Sequence, residues 1–458
     1  MTTTSERTRL DRFLGMFADV RAGEGTLALL LASNVFLILM AYYILKVVRE
    51  ALILGEASAE LKSYMSAGQV VVLAFAVPAY GKLVANCSRM KLINVVTAFF
   101  IGCLLLFYVL ATFGVPLAVP YFVWIGIFNL MIVAQFWSFA NDVYTKPEGE
   151  RLFPLVGFGA SLGAVVGARA AHRLIGGFGI YELMLVGAAV LIVEVLISNH
   201  IDRRDRARRA GTAVPAGEKK QETKAKAAAP NAFGLVFRTR YLLLMAVMLM
   251  VLNWVNTTGE YILGSIVKET AERMVAAGST GGRTEGEIIG GFYSTYFTAT
   301  NVLGLVLQLF VVSRIVKWFG VSWAVMVLPM IALGAYSVIL LSPVLMAVLF
   351  SKVAENSTDY SLNNTVRNML FLPCTYEEKY SAKQAIDSFF VRIGDVLSAG
   401  LVFVGTSVVA LSTQGFAAVN TALVLVLIVL AWQVGRAYAE RTGAPQSAAS
   451  VPARGALT

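Results

Sequence analysis

Twelve apolar runs set the first limit on what this chain can become. They lie near residues 26–52, 64–84, 92–113, 117–140, 153–174, 179–199, 241–264, 289–313, 320–341, 343–366, 384–411 and 416–436. A hydrocarbon layer about 30 Å thick is crossed by roughly 20 residues of helix. A helix also satisfies its own backbone hydrogen bonds where no water is present. The pattern therefore predicts an all-α membrane protein of about twelve transmembrane helices. Composition agrees, since 57% of the 458 residues are hydrophobic and only 14% are charged, against roughly 25% charged in soluble domains. Residues 1–25 are polar and carry Arg7, Arg9, Arg12 and Arg21 with no short apolar core, so the first run is expected to belong to the mature fold.

Charge in the connections orders these runs. The sequence predicts an N-terminal segment (1–25), a first six-helix half (26–199), a basic linker (200–240), a second six-helix half (241–436) and a tail (437–458). Placing the N-terminus in the cytoplasm puts Lys82, Arg89, Lys91, Lys146, Arg151, the linker, Arg314, Lys317, Arg367, Lys379, Lys383, Arg436 and Arg441 on one side. The opposite connections at 114–118, 175–179, 342–343 and 412–415 hold no Lys or Arg, and four Glu balance the three cations of 265–288. That asymmetry predicts an inner-membrane protein with both termini cytoplasmic. It also accounts for the net charge of +10 without nucleic acid. Six spans, a long linker and six more is the layout of major facilitator transporters. The crossings NCSRMKLINVV (86–96) and SRIVKWFGVSW (313–323) echo one another at matching places in the two halves.

Enzymatic chemistry finds little material. Cys87, Cys103 and Cys374 are scattered, and His172 and His200 are the only histidines, so neither a metal site nor a nucleophilic triad is expected. No GxxxxGK[ST] phosphate loop occurs. Gly159, Gly163 and Gly167 in the fifth span follow small-xxx-small spacing, which predicts close helix packing rather than dinucleotide binding.

Ionisable groups within spans carry the functional signal, because they must face protein or a water-filled cavity. The first span ends in Lys46, Arg49 and Glu50, which is either an ion pair with snorkelling at the interface or a basic patch for an anion. In the seventh span Asn253, Asn256 and Glu260 form one polar stripe at i, i+3 and i+7. The tenth holds Glu355, Asp359, Asn363 and Arg367 at four-residue spacing, flanked by Asn356 and Asn364. The eleventh holds Lys383, Asp387, Arg392 and Asp395. Spacing alone leaves substrate contact and helix pairing both open for the last two groups.

These same segments resemble the bacterial and plastid ATP/ADP translocase (nucleotide antiporter) family. YYILKVVREAL (42–52) is similar to its first-span signature. FWSFANDVYTKPEGERLFPLVGFGASLG (136–163) resembles its fourth-to-fifth-span segment, with Asn141 among the matches. KWFGVSWAVMVLP (317–329), DYSLNNTVRNMLFLP (359–373) and AKQAIDSFFVRIGD (382–395) resemble later motifs in the same order. The chain departs from the family pattern at Asp359 and Asp395, where the family has lysines. It also departs at Asn256, where the family has an acid, and at Asn368.

The resemblance implies a secondary transporter working by alternating access, exchanging a nucleotide or another phosphorylated anion. It implies Lys46, Arg49, Arg367, Lys383 and Arg392 on phosphate and Asn141, Asn253 and Asn256 on base or sugar. Glu50, Glu260, Glu355, Asp359, Asp387 and Asp395 are expected to gate or carry a proton. Such a transporter needs no cofactor or metal, touches membrane lipid, and is expected to act as a monomer. Two alternatives remain at this stage: proton-coupled movement of a non-nucleotide metabolite, and a non-transporting sensor or scaffold built on the basic linker.

Overall fold

The structure is a computed structural model that describes residues 8–15, 19–211, 232–375, 378 and 382–443. A short helix, α1 (Arg9–Leu14), precedes six long ones. These are α2 (Gly25–Gly55), α3 (Ala59–Asn86), α4 (Arg89–Thr112), α5 (Ala118–Val143), α6 (Lys146–Phe178) and α7 (Glu182–Gly211). The second half opens with α8 (Ala232–Arg238), α9 (Arg240–Ala276), α10 (Glu285–Phe310) and α11 (Val312–Leu341). The tenth span is α12 (Leu345–Thr358), a π turn (Asp359–Asn363) and α13 (Asn364–Leu370). The eleventh is α14 (Lys383–Ala385), a π turn (Ile386–Phe390) and α15 (Val391–Ser407), and the twelfth is α16 (Thr413–Thr442).

The described residues therefore form an all-α bundle of twelve spans in two six-helix halves. Among the described residues, eight helices, α2, α4, α5, α6, α7, α9, α11 and α16, are long and apolar enough to cross a membrane by length and composition alone. The other four positions are α3, α10 and the two spans broken by π turns. They are also the segments that carry Lys62, Tyr293, Tyr296, Lys352, Glu355, Asp359, Arg367 and Asp387.

Several boundaries move against the sequence expectation. Helix α7 runs to Gly211, and α8 forms at 232–238, so both ends of the predicted linker are helical; its middle, 212–231, lies outside the described residues. The crossing 313–323 is helical except at Gly320, whose φ of 71° breaks the helix before the ninth span. A positive φ is cheap only without a Cβ.

Glycine sets the tightest helix contact. A Cβ on Gly159, Gly163 or Gly167 would strike the carbonyl oxygens of Ala32, Phe36 and Met40 respectively, three successive turns of α2. The small-xxx-small reading of the fifth span thus describes the α2–α6 interface. The second half repeats the device at the equivalent pair: Gly394 of α15 lies where a Cβ would come within 2.6 Å of the Met250 oxygen of α9.

Between the halves, α3 packs on α15 and α9, and α10 packs on α6 and α2. Among the described residues, the polar bonds that join the halves fall at one end of the bundle. Ser294 Oγ donates to the Ala168 oxygen at 2.7 Å, Tyr261 donates to Glu60 at 3.3 Å, and Lys268 donates to the Ala57 oxygen. Gly55 sits against Gly286 at the same level. Toward the other end, where α2 begins and α16 finishes, Phe75 of α3 is 75% exposed and Leu309 and Phe310 of α10 are uncovered.

Candidate functional site

A buried ion network spans both halves just inside the closed end. Helix α2 ends four residues before α3 starts, and this hairpin returns Lys62 over Glu50 at 2.8 Å. Arg49 pairs with the same carboxylate. Across the divide, α9 presents Asn256 and Glu260 four residues apart, hence on one face. Lys352 of α12 lies 2.9 Å from Glu355 and donates to Asn256 Oδ1 at 3.1 Å. The Tyr336 hydroxyl of α11 reaches Glu355 at 3.0 Å. Asn356 donates to Glu260 at 3.0 Å and Tyr296 donates to it at 3.2 Å.

Glu260 is the hinge of this arrangement. Its two oxygens lie 3.8 Å from Lys62 of the first half and 3.8 Å from Lys352 of the second. Signs therefore alternate along Arg49, Glu50, Lys62, Glu260, Lys352 and Glu355. A buried charge is tolerable only when it is paired and hydrogen-bonded, and alternation supplies each member with an opposite neighbour. Lys352 is 0% exposed, whereas Glu260 is 25% exposed, which makes Glu260 the most accessible carboxylate of the set.

Lys46 stands beside the network without an acid within 4 Å among the described residues. Its ammonium lies 4.2 Å from the Phe297 ring centroid and 5.3 Å from that of Tyr43, a cation–π setting built by α2 and α10 together. Toward the uncovered end come Arg367 paired with Asp387 across the tenth and eleventh spans. Lys383 bonds Asn368 Oδ1 at 2.7 Å and lies over Phe371. Asp359 accepts from Asn363 at 2.7 Å and makes no ion pair among the described residues.

The structure thus gathers Lys46, Arg49, Glu50, Asn256, Glu260 and Glu355 at one level, and Arg367, Lys383 and Asp387 at a second. It separates others from them. Asp395 accepts from Asn253 and Thr257, both at 2.8 Å, and pairs with Arg392 at 3.1 Å, a clamp between α15 and α9. Asn253 also donates to the Val391 oxygen, so its amide serves that helix contact. Asn141 is exposed near the end of α5. Phe122, the α5 ring under Arg49, is nineteen residues earlier, about 28 Å along the helix.

Two central cations escaped the sequence reading. Lys352 is three residues before Glu355, so extending the tenth-span stripe by one turn finds it. Lys62 opens the second span and looks there like an interfacial lysine; only the return of α3 over α2 shows its place.

The family profile described as TLC ATP/ADP transporter matches residues 3–114 and 121–438. ADP,ATP carrier protein 1 of Chlamydia muridarum is 23% identical over 361 residues, covering 69% of this chain and 64% of that protein. The chain thus spans just under two thirds of that relative's length. ADP,ATP carrier protein 5 of Rickettsia bellii is 22% identical over 502 residues, covering 94% of this chain and 97% of that protein. Among solved structures, a mutant of the nucleoside transporter NupG aligns with a TM-score of 0.65 at 12% identity, over 89% of this chain and 99% of its own. A bacterial homologue of the iron transporter ferroportin, in an inward-facing state, aligns with a TM-score of 0.62 at 13% identity, over 90% and 98%. The likeness to these structures gives the fold, and the profile, running through the network-bearing spans of both halves, gives the lineage: this chain belongs to the TLC ATP/ADP transporter family.

Proposed function

We propose that the protein exchanges nucleotides, or other phosphorylated anions, across the inner membrane by alternating access, and that Glu260 holds the place of the substrate. The observation that carries this reading is the sharing of one accessible carboxylate by Lys62 and Lys352, one lysine from each half, at 3.8 Å each. A phosphate bears more negative charge than a carboxylate and accepts more hydrogen bonds. On entry it takes both lysines and releases Glu260 to Asn356 and Tyr296. The Lys62–Glu260 link between the halves then opens. Lys46 reaches the same region from its aromatic setting, while Lys383 and Arg367 meet the phosphates on the way in. Asn256 and the Tyr293, Tyr296 and Phe297 rings of α9 and α10 supply hydrogen bonds and stacking faces for sugar and base. Without substrate, Glu260 closes the link again, and a carrier that must be loaded to change state is an exchanger. The work is transport of an unaltered substrate by a single chain, with no cofactor.

With both termini in the cytoplasm, the closed end is the outer end and this conformation faces inward. Uptake of labelled ATP into proteoliposomes tests the function, with and without internal ADP. Stimulation by internal ADP, lost in Lys62→Ala and Lys352→Ala and rendered independent of internal substrate in Glu260→Gln, is the expected pattern. ADP-independent uptake by the native chain, or none at all, would sink the exchange reading.

One observation favours a second reading. Asp359 replaces a family lysine and bonds only to Asn363 among the described residues, a setting in which a carboxyl can carry a proton. Proton-coupled movement of a non-nucleotide metabolite follows if uptake needs a pH gradient and ATP and ADP do not compete. The scaffold reading rests on the linker, whose central residues 212–231 lie outside the described ones.

A further inference from the structure

One cavity lies away from the ion network, between the N-terminal end of α9 and the C-terminal end of α16. It measures about 550 Å³, and three arginines, Arg240, Arg436 and Arg441, line it with a single acid, Glu440. Their commitments differ. Arg441 is held by Glu378 at 3.4 Å and stacks over Tyr241 at 4.6 Å. Arg436 pairs with Glu440 at 3.0 Å on an open surface, with both side chains more than half exposed. Arg240 has no acid within 4 Å among the described residues. The first turn of α9, which forms one wall, has no side-chain cap from Thr239 and no acidic residue, so its free N–H groups add to the positive field. Among the described residues, the pocket therefore has more positive than negative charge.

What fills it is indicated by the surface below. Leu425, Val426, Val429 and Trp432 form an exposed stripe on α16 at helical spacing. The stripe runs directly into the cavity, where Trp432 lies under Arg436. A change from apolar stripe to Trp and then to Arg within two turns marks the boundary between hydrocarbon and headgroups. We infer that this cavity is a binding site for the phosphate of an anionic membrane lipid, with Arg240 and Arg436 on the phosphate, Gln433 beside them, and an acyl chain laid along Leu425–Trp432. A soluble phosphate would use the same arginines but has no use for the stripe.

The test uses the full chain, delipidated in detergent, and measures retention of phosphatidylglycerol against phosphatidylcholine by native mass spectrometry. Preferential retention of phosphatidylglycerol is expected, falling about thirtyfold in Arg240→Gln, Arg436→Gln, the loss of two surface cations facing an anionic lipid. Trp432→Ala should weaken phosphatidylglycerol while leaving any binding of inorganic phosphate unchanged. Glu440→Gln releases Arg436 and should tighten retention severalfold, a gain that a misfolded variant cannot mimic. Equal retention of the two lipids, no change in either arginine or glutamate variant, or displacement of the lipid by millimolar inorganic phosphate would each overturn the assignment.

Discussion

The two halves share a plan and differ in stiffness. In the first, α2 and α6 are unbroken helices of 31 and 33 residues, locked by three glycines against three carbonyl oxygens. In the second, the tenth and eleventh spans are each interrupted by a π turn, beginning at Asp359 and Ile386. A π turn is one residue too many for the α-helical ladder and is found preferentially at functional sites. Both turns carry an acid, Asp359 or Asp387, and they flank the Arg367–Asp387 pair. The lesson is that a repeat can be divided in labour: one half supplies a rigid wall, the other the spans broken beside their acids. Among the described residues, the ion pair of Lys62 with Glu260 joins the two halves of the network.

The glycine lock offers the largest effect. Gly163→Val forces a side chain into the backbone of α2 at Phe36, where no flexible atom can yield. A cost of about 3 kcal/mol or more is expected, seen as loss of folded, monodisperse protein after solubilisation. Gly334→Val in α11, where a Cβ meets nothing within 4 Å, should behave as wild type. Equal yields of the two variants would remove the rigid-wall half of the comparison.

The network comes next. Lys352→Met leaves Glu355 and Glu260 without their shared cation and should cost about 3–5 kcal/mol, because the remaining charge is buried. Adding Glu355→Leu should restore most of that stability, since a buried pair replaced whole is often neutral. Thermal melting in detergent separates these outcomes, and a double variant no better than the single one would show that the pair is not an isolated unit. The Arg367–Asp387 pair should respond differently. Both partners are about one third exposed, so Asp387→Asn should change stability by no more than about 1 kcal/mol. Its effect belongs instead in the exchange assay, and a variant with normal exchange would detach this pair from the proposed transport cycle.

How far the sequence carried this picture depended on distance along the chain. The spans were legible because lipid imposes a length and a composition that each segment satisfies alone. The fifth-span glycines were legible because their partners also repeat every four residues. Charges on one helix, such as Glu260 or Glu355, announced themselves by period. Lys62 did not, since its meaning depends on Glu260, 198 residues away. Asn253 and Asp395 were visible as polar residues in spans, but only packing shows that they hold α9 to α15. The π turns left no pattern, because an inserted residue shifts the stripe by one step and Asp359–Asn363–Arg367 kept its apparent spacing across the first of them.

The smallest expected effect concerns the chain-terminal ends, where the halves differ again. The second half ties its end with Arg441 and Glu378. The first uses Asp11, whose oxygens accept from Gly25 at 2.9 Å and Gly23 at 3.2 Å, fastening α1 across the start of α2. Glu24 reinforces it through Arg151 at 2.8 and 3.0 Å. Burial raises the Asp11 pKa, but hydrogen bonds from Thr8, Gly23 and Gly25 outweigh it and hold the carboxyl at about 2. Its value in an unfolded chain is about 3.9. A depressed pKa contributes stability that is complete above the unfolded value and fades as pH falls from about 4 toward 2. The clasp should therefore be unchanged between pH 5 and 8, with the Gly23 and Gly25 amides equally protected from hydrogen exchange after correction for intrinsic rates. Asp11→Ala should loosen them at pH 7 by about 1 kcal/mol, the usual worth of a helix N-terminal acceptor, with transport unaffected. Protection that drops between pH 8 and 5 would show that a group other than Asp11 holds this end closed.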